Sequence, residues 1–366
     1  MRRGLVSWSR EEVPQATLDT RVARLQQAMQ TARLDAVLAY TSFAQPAPVQ
    51  WLTHFVPYWS EALAVVLPHG APTLLAALTA RVHPWIREVA HLAEVVAAPR
   101  LGENAGAFLR ERLVATGKDA ADLRIGVIGL DALPWSVGEP LVNALGADLL
   151  VDVSDIYAAL RLAPDQAELD LARRATAIGE VALRAIPTTA VRASEVFAAV
   201  EGAARRLGAE EVLLRIAPDF AQNPTLRRME RDMPLGERYA VELSVAYKGS
   251  WVRLNRCVAA NDTPSSWHAA EKWLAQTASS ITVGEASPSL AGAPASSKVN
   301  AWTLEACVGM YPLSVVAAHD RPPVLALRAG SLAVLSAELE LPDGPWRGSV
   351  PLAVGTAGSH SAMLVS

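Results

Sequence analysis

Apolar positions recur along this chain in two rhythms, one helical and one alternating. Leu18, Val22, Leu25 and Met29 fall at helical spacing within residues 18–33, and the strand-like run DAVLAY (35–40) follows. The apolar runs EALAVVL (61–67) and PTLLAAL (72–78) read as further strands. Helix-like segments at His83–Ala90 and Ala105–Thr116 separate them from RIGVIGL (124–130). Alternating helical and extended segments predict a layered α/β domain. A short helical connector is expected from Asp152 to about Ala159, and a domain boundary near 158 divides the chain into 1–157 and 158–366. Residues 161–168 then open a long helix to about Ile186, with Pro164 in a first-turn position that tolerates proline and Asp165 and Glu168 near the positive helix end. A second helix, Ser194–Leu207, stops at Gly208, and Val212–Ile216 reads as a strand.

The most informative stretch is Tyr239–Arg256, YAVELSVAYKGSWVRLNR. Val241, Leu243 and Val245 alternate with Glu242, Ser244 and Ala246, Lys248-Gly249 supplies a turn, and Trp251–Val258 runs out again. A hairpin with charge on one face is a candidate site. Residues 284–300 are rich in Ser, Ala, Gly and Pro without a hydrophobic period, which predicts a mobile loop. The segments 324–341 and 351–364 read as closing sheet strands.

Composition narrows the function. Lys and Arg total 33 against 37 Asp and Glu, a net charge of −4, so no basic excess exists to neutralise phosphates and nucleic acid is not an expected partner. Cys257 and Cys307, the two cysteines, lack zinc-site spacing and are too few for a disulfide framework. The start, MRRGLVSWSREEVPQ, meets Arg10-Glu11-Glu12 before any useful apolar run, and no window approaches the roughly 18 apolar residues of a membrane span. A cytoplasmic protein with no membrane partner is expected.

In the hairpin an acidic residue (Glu242) is followed by Tyr247-Lys248-Gly249 and then by Arg256. That spacing resembles the metal-site hairpin of the creatinase / aminopeptidase P / prolidase family, Asp-x-Gly-x-x-Tyr-x-Gly-Tyr-x-x-Asp-x-x-Arg, in which both Asp residues bind metal. Glu242 stands at the first Asp and Arg253 at the second. Trp51-Leu52-Thr53-His54-Phe55 is similar to the family's N-terminal Tyr-Leu-Thr-Gly-Phe segment, with His54 replacing the glycine. The resemblance implies a pita-bread α/β (α+β) C-terminal domain behind a creatinase-like N-terminal α/β domain. It also implies a homodimer, in which Phe55, Tyr58 and Trp59 close the partner's pocket; local packing is the plainer reading of those aromatics.

Carried over position by position, the resemblance places Ala306 at the family's His, Ser336 at its first Glu and Ser349 near its last, with Glu338 on the same face as Ser336. No metal and no other cofactor is therefore expected. Thr225 occupies the position of creatinase's acid–base histidine, with Asp219 and Asn223 nearby. His319-Asp320 resembles the family's His-Glu-x-Pro segment, and a surface histidine before a proline turn is the alternative. His268 reads as a solvated helix face and Cys257 as a core cysteine. The expected function is a metal-independent enzyme acting on a small amino-acid-like or guanidino-like substrate, by C–N hydrolysis or a lyase or cyclase step. Its catalytic candidates are Glu242, His319 and Glu338. Its substrate-binding candidates are Arg253, Arg256, Tyr247, Asp219, Thr225, His54, Phe55, Tyr58 and Trp59. The alternative is a non-catalytic pseudo-peptidase serving as a binding or partner protein.

Overall fold

A computed structural model describes residues 7–114, 117, 122–284, 290, 292–309, 313–355 and 359–364. One compact unit takes in the chain up to Arg161 and a second begins at Leu162. No described helix is long and apolar enough to cross a membrane.

The first unit contains α1 (Gln15–Ala32), β1 (Ala36–Ser42), α2 (Ala47–Thr53), β2 (Glu61–Val66), β3 (Thr73–Ala76), α3 (His83–Val89) and β4 (Glu94–Ala97). It continues with α4 (Leu101–Val114), β5 (Ile125–Ile128), α5 (Trp135–Leu145), β6 (Leu150–Asp152) and α6 (Ser154–Arg161). The strands form one sheet in the order β4-β3-β2-β1-β5-β6. Both faces of the sheet are covered. Val37, Ala39 and Val66 pack with Leu25 and Met29 of α1 and Leu52 of α2. Leu38, Leu63 and Val65 pack with Leu109 of α4 and Leu141 of α5 on the other side. The alternation of adjacent strand residues between two cores is the two-residue period expressed in three dimensions.

The helical spacing of Leu18, Val22, Leu25 and Met29 is realised in α1, where all four are buried. Alternation did not point to α2, because six of its seven residues are buried and no polar face marks it. His54 ends α2 in the left-handed region, at φ 66°, and its N–H donates to Gln50 O at 2.8 Å. The histidine thus adopts the backbone conformation that a glycine in its place would take without cost.

The second unit opens with α7 (Gln166–Arg184), α8 (Ala193–Arg206) and β7 (Glu211–Ala217). Asp165 is the N-cap of α7 and forms a reciprocal capping box with Glu168, so Pro164 lies before the helix and not in its first turn. The hairpin follows as β8 (Arg238–Tyr247) and β9 (Ser250–Ala259). Lys248 (φ 48°) and Gly249 (φ 81°) form its two-residue turn, both with positive φ, as the twist of a tight hairpin demands. The Glu210 carboxylate accepts the N–H groups of both turn residues.

After α9 (Ser265–Ser280) come β10 (Lys298–Ala306), β11 (Ser314–Ala318), β12 (Leu332–Leu341), β13 (Gly344–Ala353) and β14 (Ala362–Met363). Residues 285–289 and 291 of the expected loop lie outside the described residues, and its last three residues, Lys298–Asn300, begin β10. Strands β7-β8-β9 form one sheet and β11-β10-β12-β13-β14 another. Where β9 meets β13 the two sheets are joined through side chains. Asn255 N–H donates to Ser349 Oγ (2.7 Å), Ser349 Oγ donates to Arg253 O (3.1 Å), and Arg347 N–H donates to Cys257 Sγ (3.2 Å).

Candidate functional site

Strand register sets out the site before any side chain is placed. Arg215 on β7, Glu242 on β8 and Asn255 on β9 stand directly opposite one another, and so do Ser244 and Arg253 one step along. On the second sheet Thr303, Ser336 and Ser349 are opposite one another, as are Glu338 and Arg347. Arg215, Glu242, Arg253 and Asn255 of the first sheet and Thr303, Ser336, Glu338 and Arg347 of the second line a common crevice of about 390 Å³ within the second unit.

Its charges are paired throughout. Arg253 Nη1 lies 2.6 and 2.7 Å from the two oxygens of Glu305, and Arg253 Nε donates to Ser244 Oγ at 3.1 Å. Glu242 Oε1 accepts from Arg215 Nε at 2.7 Å and stands 3.7 Å from Arg253 Nε. Arg347 donates to Glu338 across the β12–β13 ladder. Glu242 and Glu305 are buried, whereas the side chains of Arg215 and Glu338 are 44% and 41% exposed and form the solvent side of the crevice. Burial pushes the Glu305 carboxyl above its ordinary pKa, and the Arg253 guanidinium opposes that shift without cancelling it. On the crevice floor the Asn255 amide nitrogen is 3.4 Å from Ser336 Oγ, and among the described residues its side-chain oxygen has no hydrogen-bond partner.

Of the residues singled out in the sequence, Glu242, Arg253, Glu338 and Thr225 line the crevice together. Arg256 does not: the two-residue alternation of β9 sends it to the opposite side of the sheet, into a different cavity. Tyr247 packs on the helix side beneath Arg174, and Asp219 caps the turn after β7 by accepting Gln222 N–H. His319 is exposed beyond the end of β11 and is absent from the crevice wall. His54, Phe55, Tyr58 and Trp59 belong to the first unit, where His54 and Phe55 are buried while Tyr58 and Trp59 are 40% and 42% exposed. His268 sits on the exposed face of α9. Cys257 is no thiolate: burial pushes its pKa up to about 12.

Three charged crevice residues went unread in the sequence. Glu305, and not Ala306, faces the crevice, and a lone acid inside the apolar strand AWTLEACV was the available signal. Arg215 could have been found as the polar member of an alternating strand, while Arg347 carries no local signal.

The family resemblance implies a pair of divalent cations here, and the residues present do not fit them. Such ions want several anionic oxygens, and usually an imidazole, free to converge on one point. Here Glu242, Glu305 and Glu338 each hold a guanidinium, and Arg253 puts a permanent cation among them. Among the described residues no group of three or more His, Cys, Asp or Glu side chains is placed to hold a metal ion.

Residues 21–163 match the family model described as the creatinase/prolidase N-terminal domain. Comparison with curated proteins returns no match. Among solved structures the chain is similar to an X-Pro aminopeptidase from Thermotoga maritima (13% identity, 94% of this chain and 97% of that one, TM-score 0.71). It is similar also to the prolidase from Pyrococcus furiosus (14%, 93% and 99%, TM-score 0.68) and to a Xaa-Pro dipeptidase from Bacillus anthracis (14%, 95% and 98%, TM-score 0.69). Residues 21–163 thus carry a creatinase/prolidase N-terminal domain, and over its whole length the chain shares the fold of the X-Pro aminopeptidases and prolidases of the creatinase / aminopeptidase P / prolidase family.

Proposed function

We propose that the chain is a hydrolase-type member of this family that works without metal on a small amino-acid-like or guanidino-like compound held in the crevice. The observation that carries the reading is the pairing of Arg253 with Glu305 inside a crevice of about 390 Å³, a volume suited to a small molecule. The half-exposed Arg215 guanidinium is positioned to take a substrate carboxylate, and the half-exposed Glu338 a substrate cation. Glu305, whose pKa burial raises above the ordinary carboxyl value, is the crevice carboxyl suited to holding and returning a proton. Either C–N hydrolysis by free water or an elimination or cyclisation suits these groups. In a homodimer the exposed Tyr58 and Trp59 supply the aromatic cover for the partner's crevice.

The test is a thermal-shift screen of chelator-treated protein with amino acids, guanidino acids and cyclic amidines, since a ligand of the folded state raises its melting temperature. Hits are then incubated with the protein and their products followed by mass spectrometry. Turnover insensitive to chelator supports the proposal. About two metal ions per chain in elemental analysis, with dipeptide cleavage that chelator abolishes, overturns it.

The complete pairing of the crevice carboxylates favours a second reading, a non-catalytic pseudo-peptidase that serves as a binding or partner protein. That reading predicts ligand-induced stabilisation with no product from any ligand.

A further inference from the structure

We infer that a second cavity, on the face of the sheet opposite the crevice, binds a small monocarboxylate with an apolar body. It lies between α7, α9, β9 and β13, and its volume of about 410 Å³ falls within the range of small-molecule pockets. The inference is independent of the crevice chemistry, because its polar anchor and its apolar wall come from side chains that point away from the crevice.

The wall is apolar for a packing reason. Leu254, Leu274 and Trp346 belong to the interior, with no more than 5% of any of them exposed, and they meet here at the edge of the helix layer. Gly348 lets the indole of Trp346 lie flat across the sheet: a Cβ at 348 would come within 2.4 Å of the ring. The edges of Leu254, Leu274 and Trp346 back the cavity with apolar atoms, which suit the hydrocarbon body of a small amphipathic ligand.

The rim charges differ in whether they are already satisfied. Glu180 lies 4.0 Å from Arg184 and Glu271 is 3.9 Å from His268. Arg256 is exposed at the cavity wall, and among the described residues its guanidinium makes no hydrogen bond or ion pair. An open guanidinium above an apolar wall is complementary to a carboxylate carried on a short hydrocarbon or aromatic body, which it can engage through two parallel N–H donors.

The probe is 3-phenylpropionate, titrated calorimetrically into the full chain, with 3-phenylpropionamide as its uncharged counterpart. The acid is expected to bind at least about tenfold more tightly than the amide, the loss of a charge-assisted contact. Arg256→Gln should weaken the acid by a similar factor of about ten, while Arg215→Gln, in the crevice, leaves it unchanged. Equal binding of acid and amide, no binding of the acid, or an affinity that survives Arg256→Gln overturns the inference, as does an affinity that falls with Arg215→Gln. The acid–amide comparison uses the native chain and needs no variant to fold.

Discussion

Arg253 and Glu305 join strands of two different sheets: one guanidinium nitrogen of Arg253 on β9 lies 2.6 and 2.7 Å from the two carboxylate oxygens of Glu305 on β10. Glu305 is only 4% exposed, so this contact is what makes a carboxylate tolerable at that depth. Arg253→Ala strands the charge and should cost about 3–5 kcal/mol in urea unfolding. Replacing both partners with apolar residues, Arg253→Met with Glu305→Leu, should recover most of that loss, since an ion pair of this depth contributes little over well-packed apolar groups. A double variant as unstable as Arg253→Ala would show that the pair itself holds the two sheets together.

The same carboxyl sets a pH dependence. Because burial raises the folded-state pKa of Glu305, the folded chain binds more protons than the unfolded chain between the ordinary carboxyl pKa and the raised one. Stability contributed by this group therefore falls as pH rises through that window and is flat above it. Glu305→Gln removes the titration, so the stability of the parent minus that of the variant should decline with rising pH just above the ordinary carboxyl range. A difference that climbs instead would mean that Arg253 outweighs burial.

Asp165 and Glu168 satisfy each other's backbone N–H groups at the start of α7, at 3.0 and 3.2 Å. Asp165→Ala should cost about 1 kcal/mol by chemical denaturation, the usual loss of an N-cap. Asp165→Asn, which retains an acceptor oxygen, should lie close to the parent.

Gly179 on α7 allows the helix to sit directly on β9, for a Cβ there would come within 2.5 Å of Leu254 Cδ1. Gly179→Ala should destabilise the chain by about 1–3 kcal/mol through overpacking. The added alanine should cost less in a Leu254→Val background, where the opposing Cδ1 is gone. Equal costs in the two backgrounds would show that the helix shifts as a body.

Local signals carried far in this chain. The α1 spacing, the glycine after α8 and the Lys248-Gly249 turn are properties of a few neighbouring residues, and those elements formed where their pattern lay, whereas α7 begins only after Pro164, at its Asp165 cap. The strand β13 begins at Gly344, ahead of the apolar run at 351, because its first half alternates Trp346 and Arg347 against β12 and is not continuously apolar. The candidate site was legible at Glu242 and Arg253 on the hairpin and at Thr225 and Glu338 outside it, but not at Arg215, Glu305 or Arg347. On the hairpin, Glu242 and Arg253 stand out as charged residues of two strands that a two-residue turn must pair.

Tertiary structure decided which charge meets which. Within the hairpin strands Glu242 is the one acid that Arg253 could meet. The folded chain gives Glu242 to Arg215 and turns Arg253 to Glu305, 52 residues away on another sheet. It also decided that Arg256 leaves the crevice, since one residue of register on a strand exchanges one face for the other. The sequence by itself determined the elements, the order in which they follow and the presence of both an anion and a cation on the hairpin, because these depend on residues close in the chain. The partners of Arg253, the burial that lifts the Glu305 pKa, and the second cavity around Arg256 depend on strands brought together from distant parts of the chain, and only the assembled sheets define them.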